Sequence, residues 1–155
     1  MNILGIDPGN TQSALVLYDT EAQAITMAKI EKNEDLLLAL TYFEDTTIKP
    51  FIEMVASYGM TVGKEVFETC VWIGRFFQTL EGINPQLIYR KEVKLMLCGD
   101  LRAKDKNIRQ ACLDRLGKEK CKGIAKDMWS ALAICLTVES INNLQDWKRL
   151  KDKLP

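Results

Sequence analysis

The 155-residue chain contains no histidine. That absence removes imidazole general bases, Ser-His and Cys-His nucleophile systems, and every metal centre that relies on a ring nitrogen. There is no C-x-x-C pair either, and the cysteines (Cys70, Cys98, Cys112, Cys121, Cys135) are odd in number, so neither a disulfide framework nor a zinc site is expected. Metal chemistry is left to oxygen ligands, which suit magnesium or manganese. No apolar run reaches the roughly 18 to 20 residues of a membrane span, and the first residues lack the basic and apolar regions of a secretory signal. A cytoplasmic location is expected.

What is present describes one globular domain: 47% hydrophobic and 27% charged residues, over a length able to bury a core without staples. Net charge is zero, but its distribution is uneven. Residues 1–85 carry five Lys and Arg against twelve Asp and Glu, whereas residues 86–126 carry twelve against five. A basic block of this kind is the electrostatic footprint of a polyanion-binding face, or else a solvated lysine-rich surface.

The organising stretch is GIDPGNTQSALVLYD, Gly5 to Asp19. Asn2 to Ile6 reads as a buried strand ending in a lone carboxylate, Asp7; Pro8, Gly9 and Asn10 force a turn, and Thr11 to Asp19 returns as an antiparallel strand. Asp7 is either a turn residue or an acid that needs a cation, since a bare buried charge is costly. A third strand is expected over Gln23 to Ile30, then a helix capped by Asn33 with Leu36, Leu37, Leu40 and Phe43 on one stripe. Pro50 to Val55 reads as a fourth strand interrupted by Glu53, either solvent-facing or functional.

A loop with Tyr58, Gly59 and Met60 follows, then a long helix from Gly63 to Leu80. Val66, Cys70, Ile73 and Phe77 form one apolar line, and Phe67, Val71, Trp72, Gly74 and Phe76 extend it round the cylinder, so one side should cover the sheet and the other is a candidate homodimer interface. Gln86 to Tyr89 is a fifth strand, Arg90 to Gly99 a short helix, and Ala103 to Leu116 a further helix directing Ile108, Ala111, Cys112 and Leu116 inward. Lys118 to Lys126 is a basic connector. Asp127 opens a last helix, DMWSALAICLTVESINN, as a dipole-favouring acid or as a site residue, with Ser130 on the same face. Residues 1–144 form the domain, and 145–155 a polar tail.

In their order and spacing, GIDPGNTQSAL, FIEMVASYGMTVGKEVFETCVWIGRF, YRKEVKLMLCGDLRAKDKNIRQACLDRLG and KDMWSALAICL resemble the RuvC-type Holliday junction resolvases, especially their small phage versions. The resemblance covers about residues 2–136. It implies an α/β, ribonuclease-H-like fold with a five-stranded mixed sheet and helices on both faces. It also implies a magnesium-dependent endonuclease, with manganese able to substitute and two ions per site, that nicks four-way junctions and other branched DNA as a homodimer and leaves 5′-phosphate ends. Asp7, Glu53 and Asp127 match the family's metal-binding acids, and the second aspartate of its D-x-x-D pattern falls on Ser130.

Serine is a neutral, weaker ligand for a hard cation, so one metal position should be loosened. Ser130 is accounted for by an inactivating substitution, by a site that works with three acids plus water or Asp105, or by a protein that binds junctions without cutting. The family's loop aromatic, three residues past the glutamate, falls on Ala56. Tyr58, Arg90, Lys91, Arg102, Lys104, Lys106, Arg109, Lys118, Lys120, Lys122 and Lys126 form the pool for DNA contacts. A third class, nucleotide-enclosing proteins of the actin and sugar-kinase type, shares the first hairpin but needs two such domains.

Overall fold

A computed structural model describes residues 1–143; the expected tail, 145–155, lies outside the described residues. The central strand β1 (Asn2–Asp7) is buried from Ile3 to Ile6. Pro8 to Thr11 turn the chain into β2 (Gln12–Asp19), which pairs antiparallel with β1 and places Asp7 opposite Ala14. β3 (Ala24–Lys32) continues the meander on the outer edge. On its other side β1 pairs in parallel with β4 (Ile48–Met54), and β4 with β5 (Gln86–Tyr89). The order β3-β2-β1-β4-β5 is the expected five-stranded mixed sheet.

Period-2 alternation sends successive residues of β1 to opposite faces, and each face has its own core. Leu4, Ile6, Leu15 and Ile52 pack with Leu36 and Leu40 of α1 (Asn33–Leu40) and with Ile73 and Phe76 of α2 (Lys64–Thr79). Ile3, Ala14, Val16 and Tyr18 face α5 (Met128–Asn143), joined by Val93 of α3 (Arg90–Cys98) and by Ile108, Cys112 and Leu116 of α4 (Asp105–Leu116). The five cysteines are free thiols. Burial pushes Cys112 up to about 12, so it behaves as a core thiol with no nucleophilic role.

Three local expectations are corrected. The third strand starts at Ala24 and runs on to Lys32, because its pairing with β2 continues to Gln12. Asn33 makes no capping bond to α1; it is fully buried and its side chain turns back to the first hairpin. On α2 the inward line is Thr69, Ile73 and Phe76, leading to Leu80, while Phe77 is exposed. The two phenylalanines are adjacent and about 100° apart on the cylinder, so hydrophobicity alone does not choose between them.

α5 can lie against β1 because both surfaces are small. Gly5 sits under Ala131, and a Cβ added there would stand 2.3 Å from the Ala131 carbonyl oxygen and 2.9 Å from Cys135 Sγ. Both distances are below van der Waals contact, so the helix would have to move. Gly5→Ala is therefore expected to lower stability by about 2–3 kcal/mol, the usual cost of overpacking, read as a reduced midpoint in urea unfolding; an unchanged midpoint would refute this packing.

Candidate active site

Four groups meet at the carboxyl ends of the two parallel strands β1 and β4, the edge where open α/β sheets commonly place their sites. The register ends at Ile6 opposite Ile52, so Asp7 and Glu53 stand one step beyond, side by side. Asp127 immediately precedes α5, and its carbonyl accepts the backbone N–H groups of Ser130 at 3.1 Å and Ala131 at 3.2 Å. This first turn, lowered onto Gly5, brings the Ser130 hydroxyl within hydrogen-bonding reach of the Asp7 carboxylate.

The turn beyond Asp7 is fixed by a polar network that local sequence patterns do not reveal. The Ser13 hydroxyl donates to Asn33 Oδ1 at 2.6 Å and accepts the Gly9 N–H at 3.1 Å, while Asn33 Nδ2 donates to the Gly9 carbonyl at 2.8 Å. Every partner is satisfied, so the loop after the first acid is held rigidly.

Electrostatically the site is crowded with like charge. Burial, followed by the Glu53 and Asp127 carboxylates, pushes Asp7 up to about 7, against the pull of Arg90 and the Ser130 hydroxyl. Burial also raises Glu53, and Arg90 opposes it. Arg90, one of the cations expected to contact DNA, lies among the acids, a placement that no local sequence pattern signals. Its Nη1 donates to Glu53 Oε2 at 3.2 Å and its Nη2 to Asp105 Oδ1 at 2.7 Å. Asp105 therefore faces the guanidinium.

Asp7 forms no ion pair among the described residues, and Glu53 forms one only through Oε2. Among those residues no three acids close round a common point as a finished metal cage. The donor chemistry nonetheless fits a hard divalent cation: carboxylate oxygens from Asp7, Asp127 and the remaining oxygen of Glu53, on an acid cluster with unmet negative charge.

The basic residues divide by place. Arg90, Lys106, Arg109 and Lys126 line a cleft of about 250 Å³ together with Asp127, Trp129 and Ser130, and the Arg109 guanidinium stacks 5.1 Å above the Trp129 ring. Arg102, Lys104 and Lys106 line a neighbouring cleft with Asp100 and Asn107. Arg90 and Lys91 border a third with Tyr58 and Leu101. Tyr58 has a left-handed backbone (φ 48°) and is exposed, and the Lys91 N–H reaches its hydroxyl; Met60 is exposed nearby in sequence. Lys118, Lys120 and Lys122 are exposed on the turns after α4 and line none of these three clefts.

The raised acids make stability depend on pH with a definite sign. Asp7 moves from an ordinary 3.8 to about 7, so between those values the native chain holds a proton that the unfolded chain has released. Stability is then full below about pH 4 and declines as pH rises through 7. Asp7→Asn is expected to be more stable than the parent by about 2 kcal/mol at pH 8 and no more stable at pH 4, measured by urea unfolding. A gain equal at both pH values would show that Asp7 is not crowded.

No protein-family model matches the chain, and no curated protein matches it in sequence. Solved structures do match. The Thermus thermophilus RuvC structure superposes with a TM-score of 0.74 at 19% identity, over 92% of this chain and 96% of that one. T. thermophilus RuvC in complex with a Holliday junction substrate gives 0.71 at 18% identity, over 92% and 94%. The chain has the ribonuclease-H-like fold of the RuvC-type resolvases.

Proposed function

We propose that this chain is a divalent-metal-dependent, structure-selective DNA endonuclease that resolves four-way junctions and related branched DNA, a small phage-like member of its fold working in the cytoplasm. The observation that carries the proposal is the juxtaposition of three acids, Asp7, Glu53 and Asp127, beside a cleft to which Arg90, Lys106, Arg109 and Lys126 contribute four cations alongside Asp105, Asp127, Trp129 and Ser130. An acidic centre inside a cationic rim suits a polyanion whose backbone is to be hydrolysed. A magnesium ion bound there, with manganese as substitute, would polarise the phosphodiester and lower the pKa of the attacking water.

The chain's own residues supply the rest. Asp7, Glu53 and Asp127 hold the cation; Ser130 keeps Asp7 oriented through its hydroxyl; the Gly9–Ser13–Asn33 network fixes the loop that carries Asp7. Lys106, Arg109 and Lys126 take phosphate contacts near the acids, with Arg102, Lys104 and the lysines of 118–122 further out. Hydrolysis yields a 5′-phosphate and a 3′-hydroxyl. Tyr58 and Met60 are exposed beyond β4, which supports a role for them in meeting unstacked bases.

Resolution needs two opposed nicks, and the outer face of α2 offers a way to pair two sites. Phe67 is 62% and Val71 63% exposed, an apolar patch that a self-complementary two-fold contact would cover. One observation favours a second reading, a protein that binds junctions without cutting: Ser130 supplies no charge where a fourth acid is expected.

Three outcomes test these assignments. A labelled four-way junction should be cut in magnesium and in manganese by the chain and by Ser130→Asp alike. Cutting by the Asp variant alone would mark the parent as disabled, and binding without cutting by both would favour the binder. Asp7→Asn should lose at least about a hundredfold in cleavage rate and keep junction affinity; retained cutting sinks the site. Val71→Glu should convert the dimer to monomer in sedimentation equilibrium, and an unchanged mass would move the interface elsewhere.

A further inference from the structure

Resting on the nuclease reading, we propose that the Arg90 guanidinium serves as the second cation of this site, so that each site takes one divalent ion. Three observations converge on it. The first is position. Arg90 directly follows β5, whose register with β4 sets Tyr89 opposite Met54 and Ile88 opposite Glu53. The guanidinium is thus delivered to the end of β4 by backbone pairing. Its side chain is 23% exposed and that of Glu53 15%, so the pair is sheltered from the solvent screening that weakens surface ion pairs.

The second is how the guanidinium is held. One nitrogen donates to Glu53 and the other to Asp105, which fixes the plane of the fork. Glu53 Oε2 is engaged by Arg90, so an additional ion bridging through that oxygen would have to displace it. The two partners differ: Asp105 is 85% exposed and stands at the mouth of the cleft, whereas Glu53 is enclosed. A phosphate oxygen entering the cleft can replace Asp105 on Nη2 while Nη1 stays on Glu53. The planar fork then bears on the phosphate where charge builds up, a role for which arginine is well suited.

The third is the supply of donors. Ser130 brings no carboxylate, and Glu53 Oε2 is taken by Arg90, so Asp7, Asp127 and one oxygen of Glu53 are the anionic ligands left for metal, too few to bridge a second ion. The serine and the arginine are therefore two halves of one arrangement: loss of a carboxylate at 130 goes with a resident cation at 90.

Counting bound manganese on the whole chain, from the electron paramagnetic resonance signal of the free ion, tests this without reference to cleavage. One ion per chain is expected for the parent and for Arg90→Lys, and none for Asp7→Asn. Two are expected for the double variant Arg90→Gln/Ser130→Asp, with the first bound about tenfold more tightly once the neighbouring positive charge is gone. Arg90→Lys guards against a folding defect in the double variant, and circular dichroism of each variant checks it. Two ions on the parent, or a count of one on a folded double variant, overturns the arginine assignment and leaves the nuclease reading standing if junctions are still cut in magnesium. No ion on the parent, with no cutting, removes both.

Discussion

The contact between Gly5 and Ala131 is the constraint on which the site depends. A helix normally stands off a sheet by the height of the side chains between them. Here one of those side chains is missing, and the space a Cβ would need is filled by a backbone carbonyl and the Cys135 sulfur. Cys135 Sγ also lies 3.6 Å from the carbonyls of Ile3 and Val16, so the middle of α5 rests on the backbone of both central strands. That approach, several residues away from the acids, sets the height at which Asp127 and Ser130 stand over the end of β1. A glycine normally weakens a strand interior. At this position it is what allows residues 120 apart in sequence to face one another.

The same geometry works against stability. Asp7 and Glu53, held at the ends of rigid strands, repel each other and lie near Asp127, and burial removes the water that would screen the two strand acids. The fold offsets this with two apolar cores, one on each face of the sheet, and with polar groups placed for orientation. Arg90 neutralises part of the charge; the Gly9–Ser13–Asn33 network prevents the first loop from relaxing away. Without such restraint Asp7 would swing toward solvent and recover its ordinary acidity. A raised pKa and a rigid turn are two sides of one arrangement, and sites of this kind are expected to cost stability.

What was legible in the sequence follows from the range of the interactions. β1, β2 and their turn are written in alternation and in Pro8-Gly9-Asn10, all within one local window, and the small residues of α5 signal close packing against a sheet. Asp7, Glu53, Asp127 and Ser130 were identifiable as candidates by residue type and order, and the structure brings them together. Asn33 was not legible: its residue type is a good helix cap, and only a contact with Ser13, twenty positions earlier, shows that it serves the hairpin. Arg90 read as one cation of a basic block because nothing local ties it to Glu53, 37 residues away. Phe76 and Phe77 were interchangeable for a different reason: both are large and apolar, and the choice is made by the angle at which α2 meets the sheet.

The uneven charge of the chain acquires a physical meaning from this arrangement. An acidic centre repels a nucleic-acid backbone, so a protein of this design must overcome that repulsion from outside the centre. The acids come from the acidic first half and from the head of α5, while the cations come from α3, α4 and the turns that follow, and chain topology folds the second group around the first. Lys106, Arg109 and Lys126 stand at the rim of the cleft and Arg90 inside it, so positive potential extends from the surface down to the acids. On the proposed nuclease reading, the exposed lysines of residues 118–122 would draw a duplex in at long range and weakly. The half-buried arginine acts at short range, where a single charge in a sheltered site counts for more than several in water.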